Sequence, residues 1–400
     1  MTVLVSILGL AVLILIHEAG HFFAALGVGM RPRGFSIGFG PAIAKLNRGG
    51  IDYAIRIIPL GGYVKIPGMA PPRASDVDVY LGAAIREAPE LVGPSERLKR
   101  AVDTGDEEAA RVELETFASL AADKGITSAD RGVQEIGDAL DPGAYWRKPV
   151  WRRIVMFAAG PLTNLAFAVL LFAIVLAVAG GKATTTVEEV FDGTPAKRMG
   201  LQAGDRIVSI NGERVAPSDV TRLIRGSGGK PLAVVVVRDG ETVTLGPIRA
   251  EAEDGGDVYR LGFQPAGEPL GIDESFREAV LLTGRITREI GVSLANIVHK
   301  QGRDQLASPV GIVKESSTAA KQGWEVWLGM VAFVSLSLAL LNMLPLLPLD
   351  GGHIVFLIAE GIRGRAIKRE IYERVSAVGI AIVLVLFLIG LSNDIGRLGS

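Results

Sequence analysis

Four long apolar runs interrupt a chain whose other stretches are rich in polar and charged residues. They cover residues 3–28, 154–179, 326–346 and 375–391. A helix of about 20 apolar residues crosses the hydrocarbon core of a bilayer, and the fourth run needs its flanking residues to reach that length. The pattern predicts a multi-span α-helical membrane protein with four transmembrane helices.

Two other patterns separate the first two runs. Residues 31–69 include "FSIGFGPAIAKLNRGGIDYAIRIIPLGGYVKIPG", which alternates apolar and other residues between glycine-rich turns and predicts a membrane-associated β-hairpin region. Residues 70–150 are polar and include "ERLKRAVDTGDEEAARVELETFASLAAD", whose composition and apolar face predict short amphipathic helices. We expect this polar insertion to be solvated and cytoplasmic.

Residues 184–265 alternate between strand-like and short helical patterns, which predicts an inserted α+β domain. Its segment "GTPAKRMGLQAGDRIVSINGERV" resembles the PDZ domains attached to bacterial proteases, and the resemblance implies a groove that binds an extended peptide by β-augmentation. The whole predicted order is helix 1 (1–30), hairpin region (31–69), polar insertion (70–150), helix 2 (151–181), PDZ domain (184–265), amphipathic helix and linker (266–325), helix 3 (326–352), connection (353–370), and helix 4 with tail (371–400).

Basic residues predict how the four helices are oriented. They follow the first run, precede the second and lie between the third and fourth: Arg31, Arg33, Lys45, Arg48, Arg147, Lys148, Arg152, Arg153, Arg363, Arg365, Lys368 and Arg369. By the positive-inside rule these connections are cytoplasmic. Both termini and the PDZ domain are then expected outside. No basic segment precedes the first run, so we expect it to be a retained span rather than a signal peptide.

Composition narrows the possible chemistry. The formal net charge is −1, which gives no reason to expect a nucleic-acid partner. The absence of cysteine excludes disulfides, thiolate nucleophiles and zinc–thiolate sites. Only four histidines occur. One of them, His299, falls in the amphipathic helix and is predicted to be an ordinary interfacial residue.

Two of the four histidines fall into one motif inside the first apolar run. "LILIHEAGHFFAAL" contains H-E-x-x-H, formed by His17, Glu18 and His21. Residues four apart share one face of a helix, so the two imidazoles can hold one zinc ion while Glu18 reaches a water molecule. Without a metal, these ionisable groups would be costly in hydrocarbon.

A catalytic zinc ion needs a third protein ligand, and the third apolar run offers one. "NMLPLLPLDGGH" ends this run with Asp350, after two prolines that cannot continue a regular helix. We expect Asp350 to complete the site. Two alternatives remain at this point: Asp350 could be a helix cap at the membrane edge, or His353 could replace it as the ligand.

These motifs together resemble the site-2 protease family of intramembrane zinc metalloproteases. H-E-A-G-H in the first run, "AAGPLTNLAFAV" in the second, the PDZ-like insertion and "NMLPLLPLDGG" occur in the family's order. Within that family, the motifs resemble those of the PDZ-containing bacterial regulator of sigma-E protease type. The resemblance implies one catalytic zinc ion held by His17, His21 and Asp350, with Glu18 as the catalytic base. It also implies a substrate-binding group: Gly160, Asn164, Asn342 and Pro345.

The resemblance further implies a location and a class of substrate. The protein is expected in a bacterial inner membrane, with its active site toward the cytoplasmic side. Its expected substrates are transmembrane segments of single-pass proteins, such as a trimmed anti-sigma factor, or remnant signal peptides. A peptide or substrate segment is expected at the PDZ groove.

The chain departs from the family pattern in two ways. The family's third helix carries prolines three and five positions after its asparagine, whereas Leu347 occupies the second place here and Pro348 follows it. The chain also has room for one PDZ domain, where similar proteins often carry two. Two other functions stay open: a catalytically inactive membrane-anchored PDZ binding module, and a metal transporter, because intramembrane His and Asp residues also mark ion pathways.

Overall fold

The computed structural model describes residues 2–252, 259–298 and 308–398. Its helices are α1 (Thr2–Gly27), α2 (Ala74–Glu87), α3 (Val92–Thr104), α4 (Glu107–Asp123), α5 (Asp130–Leu140), α6 (Val150–Val175), α7 (Pro195–Arg198), α8 (Pro217–Arg225), α9 (Ile272–Val298), α10 (Pro309–Gln322), α11 (Trp324–Asn342), α12 (Asp350–Arg363) and α13 (Arg369–Leu398). Its strands are β1 (Gly34–Arg48), β2 (Ile51–Lys65), β3 (Lys182–Val190), β4 (Arg206–Ile210), β5 (Glu213–Arg214), β6 (Pro231–Arg238), β7 (Glu241–Arg249), β8 (Glu251–Ala252), β9 (Tyr259–Arg260) and β10 (Phe263–Glu268).

Four of these helices are long and apolar enough to cross a membrane: α1, α6 with its π-helical continuation to Gly180, α11 and α13. The predicted number of membrane-spanning helices is therefore confirmed. The third differs from its predicted range of 326–352, because α11 ends at Asn342. Pro345 and Pro348 follow, and proline cannot supply the backbone N–H that a continuing helix needs. The predicted connection 353–370 is largely helical, since α12 occupies 350–363.

The β-hairpin region consists of two 15-residue strands, β1 and β2. The second half of β1 forms an antiparallel hairpin with the first half of β2. The first half of β1 lies between two parts of β2, since Ser36 pairs with both Ala54 and Tyr63. Large apolar side chains point outward from this sheet, and Ile43 is 68% exposed. A sheet with this surface suits contact with lipid or with other apolar groups rather than with water.

The polar insertion folds into its own small helical core. Helices α2 to α5 pack around fully buried side chains that include Leu81, Leu98 and Phe117. Asp106 caps α4 by accepting a hydrogen bond from the Ala109 amide, which satisfies one of the unpaired donors at a helix start. The amphipathic helices expected from the sequence thus bury their apolar faces against one another.

An α+β segment occupies residues 182–268. Its main sheet has the order β10-β3-β4-β6-β7, with β5 paired to β4, and β8 pairs with β9. Val187, Ile207, Val234 and Val236 form part of a buried core. The chain divides into two compact units: Met1–Phe167 with Ile290–Gln322 and Phe333–Ser400, and Ala168–Glu289 with Gly323–Ala332. His299 lies outside the described residues.

Candidate metal centre

Helix α1 brings the two imidazoles of the H-E-x-x-H motif together. His17 and His21 are one turn apart, and their Nε2 atoms lie 3.2 Å from each other. The two residues are only 8% and 9% exposed. Two nitrogen atoms that converge in a buried site have the spacing and the chemistry to share one cation.

Asp350 meets both imidazoles from another part of the chain. It is the first residue of α12, and its Oδ2 lies 3.2 Å from His17 Nε2 and 3.4 Å from His21 Nε2. That oxygen is buried and has no hydrogen-bond partner among the described residues. His17, His21 and Asp350 are the one set of potential metal ligands found in the described part of the chain.

The spacing of the three ligand atoms fits a zinc ion. Tetrahedral zinc with bonds of about 2.0–2.1 Å holds its ligand atoms about 3.3–3.4 Å apart. The three observed separations are 3.2, 3.2 and 3.4 Å. The buried Asp350 oxygen, which has no hydrogen-bond partner among the described residues, also needs a positive partner. The residues present therefore fit the cofactor that the sequence predicts.

Helix α6 fixes the orientation of the His21 ring. His21 Nδ1 donates a hydrogen bond to the Met156 carbonyl oxygen, at 2.8 Å. This bond leaves the Nε2 lone pair free to bind a metal, which is how outer partners usually orient zinc-binding histidines. Gly160 lies directly behind the ring, where a Cβ atom would come within 2.3 Å of His21 Nε2. The absence of a side chain at Gly160 makes room for the imidazole.

The β-hairpin region reaches the remaining motif residue, Glu18. A Cβ atom at Gly62 would lie 2.7 Å from Glu18 Cγ, so strand β2 passes directly against this side chain. Glu18 also interacts electrostatically with His17, His21 and Asp350. Sequence reasoning missed both Gly62 and Met156 as neighbours of the site. The glycine pair in "PLGGYVK" was visible, but nothing in the sequence connected it to Glu18.

The other predicted residues lie on α6 and at the end of α11. Asn164 is fully buried on α6, and its side-chain amide has no hydrogen-bond partner among the described residues. Its main-chain carbonyl accepts a hydrogen bond from Ser335 of α11, at 2.9 Å. Asn342 ends α11, and Pro345 is exposed in the segment that leads from α11 to Asp350. Neither is joined to the three ligand side chains by a side-chain hydrogen bond within the described residues.

His353 has different partners. Its ring stacks on Phe157, with centroids 4.3 Å apart and planes 9° from parallel. Its Nδ1 atom contacts the Tyr372 hydroxyl group. His353 is not one of the residues that converge with His17 and His21, and the geometry therefore favours Asp350 over His353 as the third ligand.

Comparison with known proteins agrees with this kind of site. The sequence matches Peptidase family M50 over residues 5–386. Regulator of sigma-W protease RasP from Bacillus subtilis is 30% identical over 424 residues, which cover 99% of each chain. Zinc metalloprotease RasP from Bacillus licheniformis is 32% identical over 426 residues, again 99% of each chain. Probable protease eep from Enterococcus faecalis is 28% identical, with 99% of each chain covered.

The chain belongs to Peptidase family M50, the site-2 protease family. It is a zinc metalloprotease, and its four long apolar helices make it an integral membrane protein. The predicted family, the enzymatic activity and the zinc cofactor are confirmed. Of the functions left open by the sequence, the comparisons favour the enzyme over a metal transporter or an inactive binding module.

Proposed function

We propose that this protein is an intramembrane endopeptidase whose single zinc ion is held by His17, His21 and Asp350. One observation carries the proposal: a carboxylate from α12 converges with two imidazoles from the apolar helix α1. Ionisable side chains are rare inside membrane spans and mark functional sites there. Because the three side chains converge on one point, a single zinc ion can bind all of them.

Glu18 is the proposed general base and acid. When bound, the zinc ion supplies a Lewis acid that polarises a peptide carbonyl and makes a water molecule more acidic. Glu18 takes up the proton that the attacking water loses and returns it to the departing amide nitrogen. The Met156 carbonyl keeps His21 in the required tautomer. Strand β2, which passes against Glu18 at Gly62, limits the freedom of this side chain.

Two asparagines are proposed to receive the substrate backbone. A transmembrane helix must unwind before one of its peptide bonds can be cleaved, and its freed N–H and C=O groups then need partners in a site with little water. The side chain of Asn342 makes no hydrogen bond within the described part of the chain, and Asn164 has a buried amide without such a partner. Pro345, in the segment after α11, and Gly160 of α6 are proposed to line the same substrate-binding site.

The α+β segment is proposed to be a PDZ domain. The support is the resemblance of residues 193–215 and the position of β10 at one end of the strand order. An extended peptide adds to the open edge of such a sheet by β-augmentation. From the distribution of basic residues we infer that this domain and both termini are extracytoplasmic in a bacterial inner membrane, with the metal centre toward the cytoplasmic side.

The proposed substrates are single-pass membrane proteins. The name of the Bacillus subtilis relative, Regulator of sigma-W protease, supports a substrate that controls a sigma factor. We propose an anti-sigma factor that another protease has already trimmed. Remnant signal peptides are a second member of the same class. In each, the bond to be cleaved belongs to an apolar segment that the membrane delivers to the enzyme.

The proposal is tested by Glu18→Gln in the full-length protein reconstituted in liposomes with a single-pass model substrate. We expect the variant to retain zinc, since Glu18 is not a ligand, and to lose cleavage. It should also retain the uncleaved substrate, so that crosslinking in native membranes identifies natural substrates. Glu315→Gln, a change at an exposed position on α10, is the matched control and should cleave normally.

Two results would contradict the proposal. Cleavage by Glu18→Gln at the normal rate would remove Glu18 from the chemistry. Normal zinc content after replacement of Asp350 would remove this residue from the metal centre. Zinc uptake into vesicles that is unaffected by loss of Glu18 would instead support the transporter.

A further inference from the structure

A cavity of about 630 Å³ lies close to the ends of two membrane-spanning helices. It is formed by the chain that leaves α1, the turn between β1 and β2, and the chain that enters α6. This cavity is separate from the metal centre, and neither the protease chemistry nor the family assignment gives it a role.

The cavity carries an excess of positive charge. Its charged lining residues are Arg31, Arg33, Lys148 and Asp141. Arg33 already pairs with the buried Asp138, at 2.6 Å. Arg31 and Lys148 form no ion pair or side-chain hydrogen bond with any residue in the described ranges. Two cations therefore line the cavity without a side-chain partner among the described residues.

The single acid does not neutralise those cations. Asp141 Oδ1 accepts a hydrogen bond from the Gly143 amide, which is two residues away in the same turn. The remaining lining residues are all glycine or proline, including Gly49 and Gly50 at the tip of the hairpin. Such residues leave the backbone accessible and do not fill the space. The cavity is therefore open, cationic and able to admit a compact anion.

The surroundings place the cavity at the level of a membrane interface. Arg152 in the first turn of α6 donates a hydrogen bond to the Val28 carbonyl just beyond α1, at 3.3 Å. The ends of the two spans therefore lie side by side. Trp151 is exposed next to them, with its ring 5.3 Å from the Arg152 guanidinium carbon. Tryptophan is enriched where the hydrocarbon meets the headgroups, and arginine serves as an anchor at the same level.

We propose that this cavity binds a negatively charged phosphate group through Arg31 and Lys148. The chemistry is shared by the headgroup of an anionic phospholipid and by a soluble phosphate ion. Basic pockets between transmembrane helices bind such headgroups, and the position at the ends of α1 and α6 favours the lipid. Its occupant would join three segments: the exit of α1, the hairpin turn and the entry of α6.

The test measures binding of fluorescent phosphatidylglycerol to the full-length protein in neutral detergent. Unlabelled phosphatidylglycerol, phosphatidylcholine and inorganic phosphate serve as competitors. We expect saturable binding that phosphatidylglycerol displaces and phosphatidylcholine does not. In the double variant Arg31→Gln/Lys148→Gln, affinity should fall about 25-fold, because each basic side chain near an anionic headgroup contributes a factor of about 5.

Two control variants distinguish loss of this site from a nonspecific effect of lower positive charge and from misfolding. Arg365→Gln/Lys368→Gln makes the same charge change at exposed positions outside the cavity and should bind normally. Asp141→Asn removes the one acid while keeping an oxygen for the Gly143 amide, and it should bind phosphatidylglycerol more tightly. A gain of affinity cannot come from damage to the fold.

The competitors distinguish the two sources of phosphate. Displacement by phosphatidylglycerol but not by inorganic phosphate assigns the cavity to a lipid headgroup. Displacement by millimolar inorganic phosphate, with no preference for lipid, assigns it to a soluble phosphate ion. Equal binding of the two phospholipids together with no effect of phosphate overturns the proposal, as does an equal loss of affinity in the Arg365/Lys368 control.

Discussion

The membrane region around the metal centre and the α+β segment 182–268 distribute polar and apolar side chains in opposite ways. In the first, His17 and His21 are buried, while large apolar residues such as Leu4 and Leu8 of the same helix are exposed. In the second, Val234 and Val236 are buried within the sheet. Each arrangement is stable only in its own solvent, because lipid makes exposed apolar groups favourable and unpaired polar groups costly.

The comparison also shows how a buried carboxylate is satisfied in each region. Asp205 of the α+β segment is buried but accepts two hydrogen bonds from Arg238, both at 2.7 Å, and one from the Gln202 amide. Asp350 is largely buried against two imidazoles, and its Oδ2 has no hydrogen-bond partner in the described part of the chain. The first carboxylate is held by protein donors alone. The second has the surroundings of a metal ligand.

Replacing each aspartate by alanine gives the largest expected difference between the regions. We expect Asp350→Ala to weaken zinc binding by more than about 100-fold, because even the outer partners of a zinc site contribute about 10- to 100-fold. Cleavage of a model substrate should be lost with the metal. Zinc content measured on purified protein, beside the cleavage assay, checks both results.

Asp205→Ala is the counterpart in the α+β segment. The variant should keep zinc and lose about 2 kcal/mol of local stability. Breaking a fully buried ion pair costs about 3–5 kcal/mol, and the expected loss is smaller here because the Arg238 side chain is partly exposed to water. Hydrogen exchange of strands β4 and β6 measures this loss. If both variants lost zinc equally, the two carboxylates would not have the different roles that their surroundings indicate.

A smaller effect is expected where the hairpin meets Glu18. In Gly62→Ala the new Cβ atom would lie 2.7 Å from Glu18 Cγ and 2.8 Å from the Ser36 carbonyl oxygen, so one of the two must move. We expect kcat to fall by about 10- to 100-fold, the usual result of a small displacement in a catalytic group. Zinc content should stay unchanged.

The matched control for this change is Gly284→Ala on α9, where an added Cβ atom meets no described atom within 4 Å. It should leave kcat unaltered. Normal kcat in Gly62→Ala would mean that strand β2 does not restrain the side chain of Glu18, the proposed general base.

The comparison indicates which features could be predicted from sequence. The motif of His17, Glu18 and His21 is local, and polar residues in an apolar run are conspicuous, so the sequence alone points to both segments of the proposed metal centre. The contact of Gly62 with Glu18 and that of Met156 with His21 were not found. They join residues far apart in the chain, and a glycine or a backbone carbonyl carries no signature of its partner. The helical core of residues 74–140 was missed for a similar reason, since an apolar face does not specify what covers it.

The solvent around the β-hairpin region and around the polar insertion can be tested with single cysteines, because the chain has none. Ile43 on β1 is 68% exposed and Val112 on α4 is 52% exposed. In liposomes we expect Ile43→Cys to react slowly with a membrane-impermeant maleimide, because lipid covers the position. Val112→Cys should react at the rate of a thiol in water when the reagent can reach its side of the membrane. Similar rates for both, with reagent on both sides, would place the hairpin in water.

The smallest expected effect is a pH dependence confined to the α+β segment. Burial raises the pKa of Asp205, but the hydrogen bonds from Arg238 and the Gln202 amide outweigh burial and hold the pKa below its ordinary value. The pair therefore stabilises the fold fully above the unfolded value of about 3.9. This contribution is lost as the pH falls through the lower folded value. Hydrogen exchange of β4 and β6, corrected for intrinsic rates, should show protection declining over that range. Asp205→Asn should lack this part of the decline, because the amide does not titrate; an identical decline in the variant would assign the acid sensitivity to other carboxylates.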